Sequence, residues 1–264
     1  MHISWKKTLL VTLDVALGAY IIVAFTAFNK PETASLVCTK VIINIQDENT
    51  NGFITTQEIK TRLLNDRIYP LDKPMGLINT RTIEETLKES PFVKTAECYK
   101  TDDNHVCITL TQRTPTLRIK AVNGDDYYMD DHNSIMPNSH YTSDIIIATG
   151  YINRWFAKNY VTYVADAITN SDLWRNQIEQ INVLPDRGIE LVPRVGDHII
   201  YIGQLPETKY RDDREKLVTD YVNKKLDRLE KFYKYGLSQA GWNKYSYINV
   251  EFDNQIICKK ATTN

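Results

Sequence analysis

The sequence predicts an α+β protein: a single N-terminal transmembrane helix, a small β-α-α-β-β unit, and a mixed α/β domain with a mostly antiparallel sheet. Three observations carry that expectation. Residues 8–28 form an apolar run with one charge, Asp14. Residues 37–113 read as strand, helix, helix, strand, strand. Residues 114–260 alternate as short strands, interrupted by two stretches of helical periodicity.

The apolar run TLLVTLDVALGAYIIVAFTAF follows Lys6 and Lys7. A helix of about 21 residues rises roughly 30 Å, one bilayer core. The positive-inside bias leaves the short N-terminus in the cytoplasm and the bulk of the chain outside. A cleaved signal peptide is the competing reading. Its apolar core is normally about 7–15 residues and ends in a small-residue cleavage site; this run is longer and no A-x-A element follows it. A carboxylate in lipid costs on the order of 3 kcal/mol on insertion scales, so Asp14 is expected either to snorkel or to meet a polar group on another transmembrane helix.

Composition is that of a globular protein, with 42% hydrophobic and 25% charged residues. The net charge of -1 offers no basic field for nucleic acid. The tyrosine count of 16 suits half-buried sheet surface. Cys38, Cys98, Cys107 and Cys258 form no CxxC pair, which argues against a zinc ribbon or a thioredoxin-like motif. Cys98 and Cys107 flank a turn, but Ala96 and Cys98 share the apolar face of one strand. Val106, Ile108 and Leu110 leave Cys107 on the opposite face of the next. Cys98 is therefore expected in the core and Cys107 as a free or partly covered thiol.

In chain order, the polar residues 29–36 read as a linker containing Pro31. A strand over 37–45 puts Val41, Ile43 and Ile45 on one side. Asn51-Gly52 marks a turn, and Thr55 with Glu58 fits a capping box ahead of a helix carrying Ile59 and Leu63. A second helix starts near Asn79 or Thr80, carries Ile83 and Leu87, and stops at Pro91. Residues 92–100 and 105–111 form a hairpin, and two helices on one face of three strands make a small α+β unit.

Beyond it, 116–122 and 126–130 flank Asn123-Gly124, a strong hairpin turn. Residues 154–169 read as a helix with Phe156, Tyr160, Val164 and Ile168 in one stripe. Strands follow over 178–184, 189–192 and 198–202. A charged helix over 209–235 carries Val218, Val222, Leu226, Leu229 and Tyr233, with Gly236 as its stop. A strand over 245–252, a turn over 253–255 and a last strand over 256–260 complete the sheet.

The strand-helix-helix-strand-strand order matches the POTRA module. A short tail, one transmembrane helix, a POTRA-like unit and then Gln112-Arg113-Thr114-Pro115 together resemble the FtsQ/DivIB family of bacterial cell-division proteins. The hairpin around Gly124-Asp125-Asp126-Tyr127-Tyr128-Met129-Asp130 and the strand closing in Gly150 extend the likeness. One departure is Asn133, standing near the place of the glycine usual after the hairpin aspartate. The resemblance implies a division into cytoplasmic tail (1–7), transmembrane helix (8–28), linker (29–36), POTRA-like domain (37–113), β domain (114–260) and tail (261–264).

No catalytic motif is present: His2, His105, His132, His140 and His198 are scattered, with no HExxH, no Gly-x-Ser-x-Gly and no Walker loop. Asp125, Asp126, Asp130 and Asp131 are the densest carboxylates, but their spacing is not that of an EF-hand and they read as a solvated hairpin. No enzyme, metal site or cofactor is nominated. Function then lies in surfaces. A terminal strand at a sheet margin leaves backbone groups for another chain's strand, with Ile256, Ile257 and Cys258 supplying alternate side chains; Lys259 and Lys260 are equally read as guards of that edge.

The resemblance implies that this hairpin binds a membrane-proximal segment of an FtsB/DivIC-like partner, itself associated with an FtsL-like protein. It places Glu251, Phe252, Asp253, Asn254 and 256–260, including Lys260, in the partner site. Where some members carry an Arg, a Tyr and a terminal Trp, Glu251, Phe252 and Lys260 stand here. Arg187 is a further candidate ion-pair donor, with an ordinary turn residue as its plainer reading. The implied protein is a single-pass type II scaffold of the inner membrane at the division site, required for septum formation. The alternatives are a POTRA adaptor capturing polypeptides for secretion or outer-membrane assembly, and a tethered extracytoplasmic enzyme.

Overall fold

A computed structural model describes residues 5–27, 36–46, 52–139 and 144–261. Most of the 29–36 linker, the turn residue Asn51, and His2 and His140 lie outside them. Helix α1 spans Trp5–Ala27. Its described apolar side chains, among them Leu10, Val15 and Ile22, are exposed. Among the described residues no helix is long and apolar enough to cross a membrane. Phe28, the last residue of the 8–28 run, lies outside the described residues.

The described residues group into two compact units, Met1–Ile45, Thr56–Leu87 and Ala96–Leu110 in one, Gln46–Thr55, Lys88–Thr95 and Thr111–Asn264 in the other. The first holds most of a sheet ordered β1-β3-β2, made of strands β1 (Lys40–Gln46), β2 (Val93–Lys100) and β3 (His105–Gln112), and of helices α2 (Thr56–Asn65) and α3 (Thr80–Lys88). Alternation decides what faces in: Val41, Ile43 and Ile45 from β1, Ala96 and Cys98 from β2, Val106, Ile108 and Leu110 from β3. Ile59, Leu63, Ile83 and Leu87 are buried from the helices. Asn79 caps α3, its Oδ1 accepting from Thr82 N at 3.2 Å. β1 begins at Lys40 and not at Val37, because Cys38 bonds to Lys73 O and Asp72 N and Val37 bridges Pro74. Cys98 is buried, Cys107 is half-buried, and both are free thiols.

The second unit is built on a nine-stranded sheet ordered β12-β11-β10-β9-β8-β7-β4-β5-β6. The strands are β4 (Pro115–Ala121), β5 (Asp126–Asp130), β6 (Ile135–Pro137), β7 (Ile146–Gly150), β8 (Ile178–Val183), β9 (Gly188–Pro193), β10 (Ile199–Gln204), β11 (Tyr245–Asn249) and β12 (Ile257–Lys260). Three pairings are parallel, β4 with β7, β7 with β8 and β10 with β11; the rest are antiparallel, so the sheet is mixed. Two helices contribute to its hydrophobic core. Helix α4 starts as Arg154–Phe156, widens to a π turn over Ala157–Val161 and continues as Thr162–Thr169. Helix α5 runs Arg211–Phe232, then a π turn over Tyr233–Leu237, then Ser238–Ala240.

Gly236 therefore does not stop α5. It sits inside the π turn, where a Cβ would lie 2.9 Å from the Phe232 ring, and the chain leaves the helix at Gly241. Val218, Val222, Leu226, Leu229 and Tyr233 are all buried in the sheet's core. At about 2 kcal/mol gross per buried side chain, that stripe is what holds α5 in place.

Candidate partner-binding edge

β12 is the end strand of the large sheet, with β11 on one side and, among the described residues, no strand on the other. Its pairing register is Asn249 with Ile257, Ile248 with Cys258 and Tyr247 with Lys259. Which backbone groups are free follows from two bonds. Val250 N–H donates to Tyr201 O on the β10 side, and Ala261 N–H donates to Lys244 O. Since N–H and C=O alternate along a strand, Ile257 and Lys259 turn theirs toward β11, while Cys258 and Lys260 turn theirs outward. Ser246 Oγ reaches the Lys259 and Lys260 carbonyls only at 3.5 Å.

The side chains divide in the same way. Ile256 and Cys258 are half-buried against the core on the helix-covered face, and burial pushes the Cys258 thiol up. Ile257 is 48% exposed on the opposite face, and Lys259 and Lys260 are exposed. The edge thus offers one outward ladder rung at Cys258, a second donor at Lys260, and an exposed aliphatic group, Ile257, just ahead of them.

The loop joining β11 to β12 is held from α5. Lys224 Nζ donates to Asp253 Oδ2 at 2.8 Å, Lys225 Nζ to Asp253 Oδ1 at 3.3 Å and Arg228 Nη2 to Asp253 Oδ1 at 3.4 Å. Lys225 also donates to Glu251 O, and Arg228 to Phe252 O and, at 3.3 Å, to Val250 O. The lysines beside Asp253, Lys224 first, hold its carboxyl well below the usual carboxylate range. Glu251 N donates to Asn249 Oδ1 at 2.8 Å. Phe252, Asp253 and Asn254 are exposed.

Two family models match the chain: a POTRA-like domain over residues 36–111 and the FtsQ/DivIB C-terminal related domain over residues 114–259. The second covers more than half of the 264 residues. The chain belongs to the FtsQ/DivIB family. A search of curated proteins found no match. FtsQ/DivIB proteins are a family of non-enzymatic scaffolds of bacterial cell division.

The residues that carry the FtsQ/DivIB motifs have structural work in the second unit. Gln112 Oε1 accepts from Phe53 N at 2.9 Å and Ile54 N at 3.1 Å. Arg113 Nε donates to Asp130 Oδ2 at 2.8 Å, and its Nη1 to Pro91 O at 2.7 Å. Asp130, itself buried, accepts from His132 N and Ser134 N through its other oxygen. Asn133 occupies the left-handed region at φ 55°, which explains how it stands near the family's glycine: asparagine tolerates that conformation better than other side chains.

The acidic hairpin is paired with cations from its own strands and from other elements. Asp126 takes a bidentate bond from Arg118, which pulls its pKa down. Asp131 pairs with Lys94 and Asp125 with Arg154. Among the described residues no cluster of His, Cys, Asp or Glu has the arrangement of a metal site.

Arg187 is not brought to the edge. It precedes β9, and β10 and β11 separate it from β12, about 14 Å at the usual strand spacing. It sits in a turn at φ 65°, pairs with Glu207 at 3.2 Å and lies 5.5 Å from the Phe156 ring centroid. Sequence reading missed the polar ladder on the sheet's other face. Gln180 donates to Thr149, Asn182 donates to Glu190 at 2.9 Å, and Tyr247 OH donates to Glu190 Oε1 at 3.2 Å. Burial first and then Glu190 push the Tyr247 phenol up. The signal was available: polar residues at every second position of 180–182 and at 190 mark a second face that the core does not claim.

Proposed function

We propose that this protein is a bitopic scaffold of the bacterial divisome, required for septum formation. α1 anchors it in the inner membrane as a single-pass type II protein, with the POTRA-like and β domains outside the cytoplasm. Its C-terminal edge receives a strand from an FtsB/DivIC-like protein, which brings its FtsL-like companion. The observation that carries this reading is β12: an end strand in a nine-stranded sheet whose outer backbone groups face no other strand among the described residues. Main-chain pairing supplies the affinity in such an arrangement and the alternate side chains supply the selectivity. The anchor reading is supported by a helix whose described apolar side chains face outward and by Lys6 and Lys7 ahead of it.

Proline separates this mechanism from general damage, because it removes one N–H. At Cys258 that N–H faces outward, whereas at Ile257 it faces β11 and its loss would break the hairpin itself. Cys258→Pro is expected to abolish co-purification of the DivIC-like protein, to leave the melting temperature nearly unchanged, and to produce filamentous cells with the tagged protein still at midcell. Undiminished co-purification from a folded variant contradicts strand addition. Uniform envelope fluorescence of the wild type, or co-purification with an outer-membrane β-barrel instead, supports the secretion adaptor.

A further inference from the structure

We propose that Lys224, Lys225 and Arg228 of α5 form a clasp that positions β12 for docking, with Asp253 as the positioning residue they grip. The proposal rests on the reading of β12 as the docking strand and adds what makes that strand ready. β12 is four residues long, has one neighbouring strand among the described residues and exposes most of its side chains. An edge strand this short makes few ladder bonds to β11 and opens readily, so contacts to the loop that precedes it help hold its register.

α5 supplies it. Its apolar stripe fixes the helix in the core, and the three cations project from adjacent turns, where residues one helical turn apart share a face. They engage three successive carbonyls, those of Val250, Glu251 and Phe252, and both oxygens of Asp253. Charge-assisted bonds are the stronger kind. The Lys225 side chain is only 3% exposed, so its ammonium group is committed to this contact and cannot turn to water. Asp253 then acts through the hairpin, both of its oxygens accepting from α5. A strand held in register before docking loses less conformational freedom on binding, which raises affinity without any added contact.

The test uses the full-length protein in detergent, amide exchange read by mass spectrometry, and a synthetic peptide spanning the membrane-proximal extracytoplasmic segment of the cell's DivIC-like protein. In Asp253→Asn and in Arg228→Met, the amides of Ile257, Lys259 and Ala261 are expected to exchange about tenfold faster, while β8 and β9 keep their protection. Peptide affinity is expected to fall by about tenfold with the melting temperature unchanged, and Asp253→Glu, which keeps both oxygens, is expected to restore most of it. Unchanged exchange in both variants overturns the clasp. Faster exchange with undiminished peptide affinity overturns its positioning role. Failure of the wild type to bind the peptide contradicts the docking reading instead, and the positioning role with it.

Discussion

Asp166 on α4 is partly buried beside Glu215 of α5, with Tyr163 nearby. Burial first, then Glu215, push its carboxyl up to about 6. An unfolded aspartate titrates near 3.9. Between those values the folded protein binds the extra proton, so this group's effect on stability worsens as pH rises through the window and is fully unfavourable above it. His198 acts in the opposite sense. Burial lowers its pKa, its Nε2 lies 2.6 Å from Tyr233 OH, and acidification below about 6.5 destabilises the fold through it. Asp166→Asn separates the two. It is expected to stabilise the protein at pH 7 by about 1 kcal/mol, after discounting for solvent screening, and to have almost no effect near pH 3, below the unfolded value, as read by urea denaturation at both pH values. Neither residue announced itself in the sequence. His198 was one of five scattered histidines, and Asp166 sat on the polar side of a helical stripe, because what sets their chemistry is the neighbouring element and not the neighbouring residue.

Two glycines at element ends share a backbone conformation and differ in surroundings. Gly150 closes β7 at φ +98°, and a Cβ there would fall 2.1 Å from Val183 O. Its carbonyl also accepts from Val122 N and Ile152 N, so the backbone cannot shift away without losing those bonds. Gly124 turns the β4–β5 hairpin at φ +90° with nothing within 4 Å of a Cβ. Gly150→Ala is therefore expected to cost about 3 kcal/mol or more, from strain and backbone overlap together, and Gly124→Ala about 1 kcal/mol from strain alone. Equal losses in denaturant titrations would show that the contact at Val183 is not what fixes Gly150. Strands and helices were legible wherever one side of an element alternates or repeats: Ile59 with Leu63, Ile83 with Leu87, Val106-Ile108-Leu110. The π turns in α4 and α5 were not, since Phe156, Tyr160, Val164 and Ile168 keep an apparently regular spacing through one of them. The end of α5 was misplaced because Gly236 has the sequence signature of a stop and serves instead to admit the Phe232 ring.

At the scale of the whole chain, the order of parts was readable because each has its own pattern: an apolar run, a small α+β unit, and a sheet with a free margin. The margin itself was half legible. That 256–260 forms a strand paired across a turn was readable, but which backbone groups face outward depends on the register against β11 and the irregularity between Tyr245 and Tyr247. The same holds for Asp253, which the family resemblance assigns to the partner site, while the cations that pair with it lie on a helix 25 to 29 residues earlier in the chain. Amide exchange resolved at single residues of β12, with and without the DivIC-like partner, addresses the central claim directly. The account predicts that Ile257 and Lys259 are protected in the free protein and that Cys258 and Lys260 become protected only when the partner is added. A tight complex in which Cys258 and Lys260 still exchange freely would contradict it.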